Sequence, residues 1–438
     1  MTATTWSCTA TISCSYVARD DAHYAWSMTT RELATQGVAV RRAAVALAQA
    51  TNEQRRGVLA HVADRLEEVL DELLSVNAFE VAAYDESGPG RDRLTLTKER
   101  VLAMAGALRE IADAPDPLYE TQDQSTRANG LRVERVRVPL GVIGVVYENR
   151  PNVTSDVAGL CVRSGNAAFL RGSSSAMKTN TFLVELWHEA LEKEGLPAAG
   201  VSLVADGSHE VATAFMQLTD VLDCLIPRGG PSLIGAMREH ARVPYVLDGD
   251  GNCHIFVDDS ANLTQALAIV KNAKTSRPGV CNAAETLLVH EAVAASFLPA
   301  LALAMPEVEL RVDRAALEYL PDATLASEDD YAREFLDLIL AVKVVGSLDE
   351  AIEHVATFGT GHSEAILTEN PEHAEAWVRR VDAAAVLVNA STRFIDGGEL
   401  GLGAEVGIST QKLHARGPMG LRELTCLKWV VRGEGQIR

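Results

Sequence analysis

The sequence predicts an α/β protein built on an open parallel sheet with helices on both faces, followed by a second α/β unit. Two observations carry that prediction. From Pro139 onward, short apolar runs alternate with helical periodicities, as strand–helix–strand units require. Two further strand-like segments, near 131–138 and 426–433, lie outside this alternation and read as a separate small β element.

The elements follow in order along the chain. Residues 1–27 carry neither a basic n-region nor an apolar h-region, so they are not a signal peptide and read as a disordered leader. Helical spacing begins after Met28: Val40, Ala44 and Leu47 mark one amphipathic helix. Val58, Val62, Leu66, Val69 and Leu73 mark a second, capped near Thr51–Asn52 and running to Phe79. A third helix over 97–111 is closed by Pro115 and Pro117. Leu131, Val133, Val136 and Val138 then alternate with Arg and Glu, as an exposed antiparallel strand does. Strands are expected at 141–148, 166–172, 201–205 and 221–227, with helices at 152–163 and from 174 toward Pro197. The second unit contributes strands at 286–290, 336–345, 364–368 and 384–389, and residues 426–433 form an isolated one.

Composition narrows the function. Forty Lys+Arg against sixty Asp+Glu leave a net charge of −20 over 438 residues, a field that repels nucleic acid and anionic lipid. An anionic substrate must therefore be met by a local group of arginines. No run approaches the ~18–20 apolar residues of a membrane span. Seven cysteines, with no CxxC, form no disulfide framework, and reduced thiols in the cytosol are the simplest reading. Cys253-His254 has no second ligand pair at zinc spacing, so no metal site is expected.

Three places could carry chemistry. The GxGxxG fingerprint follows no strand, but Arg228-Gly229-Gly230 ends an apolar run and opens a helix. Two glycines there would let a phosphate approach the helix N-terminus, or would simply make a tight turn. Arg171-Gly172-Ser173-Ser174-Ser175 suits a 2′-phosphorylated ribose, or an ordinary serine cap beside a surface arginine. Cys281 stands in KTSRPGVCNAAETLLVH, where Arg277 and the amides of a Pro-Gly turn would lower a thiol pKa, or where a lone cysteine is simply structural. Cys161, Cys224 and Cys426 sit in apolar runs instead.

PLGVIGVVYENRPNVTSDVAGLCVRSGNAAFLRGSSSAMKTN, IPRGGPSLI, GDGNCHIFVD, KTSRPGVCNAAETLLVH, GTGHSEAI and NASTRFIDGGELGLGAEVGIST occur in this order. Together they resemble the γ-glutamyl phosphate reductase (glutamate-5-semialdehyde dehydrogenase) family of the aldehyde dehydrogenase superfamily, over residues 28–438. The resemblance implies an aldehyde dehydrogenase-like fold with a Rossmann-type NADP-binding domain (28–127 and 140–255) and a catalytic domain (256–395). It further implies β oligomerisation segments (128–139 and 421–434) and a return to the cofactor domain over 396–420. Cys281 takes the place of the nucleophile and Asn149 that of the oxyanion-binding amide, with Asn152 as runner-up because the turn is one residue shorter. Arg171 and Ser173 fall at the adenosine ribose and favour NADP(H). Gly229 and Gly230 fall at the pyrophosphate, and Glu334 at the nicotinamide ribose.

The resemblance implies a specific reaction: reduction of L-glutamyl 5-phosphate through a Cys281 thioester, in proline biosynthesis. Arg150 and Arg277 are candidates for the phosphate, and Ser391, Thr392 and Arg393 for the α-carboxylate. Hydrolytic members carry a water-activating Glu where this chain has Asp248, one methylene shorter, so exchange with phosphate is expected. The rival readings are a hydrolytic aldehyde dehydrogenase and a catalytically inactive structural member of the fold. The implied state is a cytoplasmic homodimer or homotetramer, with glutamate kinase as the candidate partner and neither nucleic acid nor membrane involved.

Overall fold

The computed structural model describes residues 28–85, 89–247 and 249–438. The expected leader (1–27) and Asp248 lie outside the described residues. The chain opens with helices α1 (Thr30–Gln49), α2 (Asn52–Glu68), α3 (Leu70–Ala83), α4 (Pro89–Leu94) and α5 (Lys98–Asp113). Sequence dictates where they start. The Thr29 hydroxyl accepts from the Glu32 N–H while the Glu32 carboxylate accepts from the Thr29 N–H, and Thr51 with Gln54 repeats the arrangement. The periodicity predicts one helix over 52–79; instead it is interrupted at Val69, whose ψ of 19° departs from helical geometry.

The first parallel sheet follows: β3 (Val142–Tyr147), α6 (Pro151–Arg163), β4 (Ala167–Arg171), α7 (Met177–Lys193), β5 (Val201–Leu203), α8 (His209–Met216), β6 (Cys224–Arg228) and α9 (Pro231–His240). Its strand order is β5-β4-β3-β6. The chain thus steps outward from β3 to β5 and then returns to the opposite side of β3. That reversal opens a crevice at the carboxyl ends of β3 and β6. α1 and α6 lie against β4, and α2 and α5 pack outside α6 and α7. Trp187 and Phe169, both fully buried, anchor this core.

The second sheet is also parallel, with order β10-β9-β11-β8-β7-β12-β13. Its parts are β7 (Cys253–Val257), α10 (Leu263–Thr275), β8 (Ala284–His290), α11 (Glu291–Ala304), β9 (Glu309–Val312), β10 (Thr324–Leu325), α12 (Glu328–Tyr331), β11 (Ile339–Val345), α13 (Leu348–Phe358), β12 (Ser363–Leu367), α14 (Pro371–Arg380) and β13 (Ala385–Val388). β7 pairs with β8 and β12, so this sheet begins at Cys253, upstream of the expected boundary at 255/256. Residues 396–420 serve both units: Val406, Ala415 and Met419 join the first core and Ile408 the second.

A third, antiparallel sheet has the order β1-β2-β16, from β1 (Thr121–Thr126), β2 (Arg132–Pro139) and β16 (Thr425–Arg432). It starts seven residues before the expected segment at 128, because all six residues of β1 are exposed and carry no apolar alternation to read. A short pair, β14 (Ile408–Ser409) with β15 (Gly417–Pro418), completes the fold. Among the described residues no helix is long and apolar enough to cross a membrane.

Candidate active site

Cys281 sits in the loop between α10 and β8, and buried polar contacts fix both ends of that loop. At its start, Lys274 meets Glu285 of β8 at 2.6 Å, both side chains fully buried. Burial pushes Glu285 up to about 7 against the pull of Lys274, and burial likewise lowers the Lys274 ammonium. The second Glu285 oxygen accepts from the Leu336 N–H at 3.1 Å, tying the loop to the segment that carries Glu334. Glu334 in turn accepts from the Gly251 N–H at 2.9 Å. Asn282 donates to the Ile395 carbonyl at 2.8 Å, which brings the 391–396 segment alongside.

Two residues lie against the Cys281 backbone. The Cys253 thiol donates to the Cys281 carbonyl at 3.2 Å; burial raises its pKa and keeps it a donor. Gly251 is packed so closely that a Cβ there would lie 2.7 Å from the Cys281 Cα and closer still to its carbonyl. Only glycine allows that approach. Cys281 itself is half-buried, unlike Cys161, Cys224 and Cys253. Burial takes the Cys224 thiol up to about 12 and Cys161 higher, so neither supplies a thiolate.

Arg277 and Arg393 come together with Cys281. Arg393 lies within electrostatic reach of Asp396, Arg277, the Cys281 sulfur and Glu399, and burial lowers its pKa. Its Nε donates to the Ser276 hydroxyl at 3.2 Å. Ser391 and Thr392 precede it, but both are buried: Ser391 accepts from the Arg393 N–H, and the Thr392 hydroxyl faces the interior. Arg150 stands on the first unit, at the N-terminus of α6 after β3.

The two oxyanion candidates already hold partners. Asn149 donates to the Tyr84 hydroxyl at 2.8 Å, across to the end of α3. Asn152 donates to Asp156 one turn along α6, at 2.9 Å. Burial raises Asp156 to about 6. Tyr84 was not legible in the sequence, since it follows an amphipathic run as an unremarkable terminal residue.

The crevice between β3 and β6 bears the cofactor candidates. Gly229 and Gly230 precede α9, where the Gly230 N–H donates to the Glu148 carboxylate at 3.2 Å. A carboxylate thus already sits at the positive end of this helix, as an anion should, and the space around the Gly230 Cα is open. Arg171 is not the surface arginine that was the alternative to a ribose-phosphate ligand. It is 9% exposed, and its guanidinium donates to the carbonyls of Gly207 and Ser208. Its Nε is buried without a partner. Ser173 caps the turn that follows β4. The open space at the Gly230 Cα beside the switch point and a buried guanidinium with an unspent N–H fit a dinucleotide bearing phosphates.

A switch-point crevice in one parallel sheet and a half-buried, loop-borne thiol entering a second are the features of an aldehyde dehydrogenase-like fold. The Aldehyde dehydrogenase family model matches residues 18–330. The chain belongs to that family, among its γ-glutamyl phosphate reductases. It is 50% identical over 397 residues to the γ-glutamyl phosphate reductase of Carboxydothermus hydrogenoformans, covering 90% of this chain and 96% of that one. With the enzyme of Xanthomonas campestris pv. campestris the identity is 48% over 416 residues, 94% of this chain and 100% of that one. The crystal structure of γ-glutamyl phosphate reductase from Thermotoga maritima superposes with a TM-score of 0.90 at 45% identity, over 93% of this chain and 100% of that one.

Proposed function

We propose that the protein reduces L-glutamyl 5-phosphate to L-glutamate 5-semialdehyde and phosphate with NADPH, as a step of proline biosynthesis. The Cys281 thiolate attacks the γ-carbonyl and expels phosphate, leaving a thioester. Arg150 and Arg277 hold the departing phosphate, and the amide of Asn149 or Asn152 steadies the oxyanion together with the Cys281 N–H. The nicotinamide, when bound, supplies hydride to the thioester carbon. The resulting hemithioacetal collapses to the aldehyde and returns the thiolate to Cys281. Arg171, Ser173, Gly229, Gly230 and Glu334 are the residues that would hold NADP(H).

One observation carries this reading: the half-buried Cys281, alone among the described thiols, shares its surroundings with Arg277 and Arg393. The same reading makes the protein a cytoplasmic homodimer or homotetramer joined along the open edge of β16. Glutamate kinase, which makes the acyl phosphate, is its candidate partner. Cys281→Ala tests the assignment. It should abolish reduction, remove the rapid, substrate-protected alkylation of one thiol by iodoacetamide, and leave NADPH binding in place. Retention of more than about a tenth of wild-type turnover would show that the nucleophile lies elsewhere, since its loss costs orders of magnitude.

A further inference from the structure

Charges of opposite sign face one another near the nucleophile without joining. A cleft of about 300 Å³ opens between the end of α10 and the segment after Ser391, lined by Asn272, Ser276, Arg393, Phe394, Asp396 and Glu399. Several arginines of this chain make ion pairs, among them Arg41, Arg55, Arg65, Arg109 and Arg311. Among the described residues, Arg393, Asp396 and Glu399 make none. Arg393 is instead steered sideways by its bond to Ser276, and Asp396 accepts from the Gly398 N–H at 3.0 Å. A cation and two carboxylates held apart across a cleft match the two ends of a zwitterion, whose carboxylate and ammonium diverge from one carbon.

The cleft also lies where such an end must go. Asn282, next to the nucleophile, is bonded to the Ile395 carbonyl between Arg393 and Asp396. A γ-glutamyl group held on Cys281 has its α-carbon only three bonds from the reacting carbonyl, so its charged end falls on this segment. Phe394, 51% exposed, closes one wall.

We propose that this cleft is the subsite for the α-amino-acid end of the substrate, with Arg393 receiving the carboxylate and Asp396 and Glu399 receiving the ammonium. The proposal rests on the reading that the substrate is a glutamyl group. It makes the acidic pair the device that selects an amino-acid acyl chain over the same chain without its amino group.

The test compares two aldehydes in the oxidative direction, with NADP⁺ and phosphate: L-glutamate 5-semialdehyde and glutarate semialdehyde, which lacks only the α-amino group. The wild type should prefer the former. In the double variant Asp396→Asn, Glu399→Gln, the ratio of the two kcat/KM values should fall about 10- to 100-fold, the range of a lost charged hydrogen bond. Arg393→Gln should lower both values and move the ratio by less than threefold, since both substrates carry the carboxylate. Residual turnover of glutarate semialdehyde reports that each variant is folded. A ratio that the acidic double variant leaves within threefold of wild type overturns the subsite while leaving the reductase reading in place. A wild type that oxidises neither aldehyde overturns the reductase reading, and this proposal with it.

Discussion

Gly251→Ala is the perturbation whose size the packing fixes best. The added methyl would stand 2.7 Å from the Cys281 Cα, where ordinary contact begins at 3.4 Å, and nearer still to the Cys281 carbonyl. The atoms in the way are backbone, so no side chain can swing aside. Gly251 cannot retreat freely either, because its N–H is bonded to Glu334 and its carbonyl to the Cys253 N–H. The Cys281 backbone must shift by about 1 Å, and a displacement of that size costs on the order of 100-fold in rate. Overpacking should also lower stability by about 1–3 kcal/mol. The assay is kcat at saturating substrate, paired with the rate of iodoacetamide alkylation and the melting temperature. Gly106→Ala is the control: it lies inside α5 with nothing within 4 Å of the new methyl, so kcat should hold and the helix should gain slightly. A Gly251→Ala enzyme with more than half the wild-type kcat would refute the reasoning.

Arg171→Ala should raise the NADPH KM more than the NADH KM, because a guanidinium recognises the 2′-phosphate. It should also lower the melting temperature by freeing the Gly207 and Ser208 carbonyls, and equal effects on the two cofactors would remove Arg171 from the ribose site. His354 tests a pH effect: it is 4% exposed, neither ring nitrogen has a partner, and burial, reinforced by His254 and Lys343, pushes its pKa down to about 3. Its folded pKa lies below the unfolded value of about 6.5, so its contribution is complete above that pH and is lost as pH falls toward 3. Between pH 7 and 5 the loss is about 2 kcal/mol. His354→Phe should therefore melt with a visibly shallower pH dependence over that interval, and an unchanged slope would show that His354 does not titrate on unfolding.

Much of the architecture was legible because buried parallel strands are continuous apolar runs, as at 142–147 and 284–290. β1 was not, being polar throughout, and β7 was overlooked although CHIFV is apolar, because its partners β8 and β12 are distant in sequence. The Cys281 loop stood out through its polar turn. The groups that hold the loop did not. Lys274 and Glu285 look like surface charges until the fold buries them together, and Gly251 reads as one more loop glycine until Cys281 is set against it. Arg171 went the other way: a residue at a strand end looks exposed, whereas the 206–208 loop covers it.

The most direct test of the central claim is NADP⁺ reduction by L-glutamate 5-semialdehyde, with and without phosphate or arsenate. A Cys281 thioester built to exchange with phosphate should give at most a burst of one equivalent per site without the anion, and steady turnover with it. Asp248→Asn should leave that dependence intact. Steady turnover without phosphate in the wild type, lost in Asp248→Asn, would make the enzyme a hydrolytic aldehyde dehydrogenase and contradict the account.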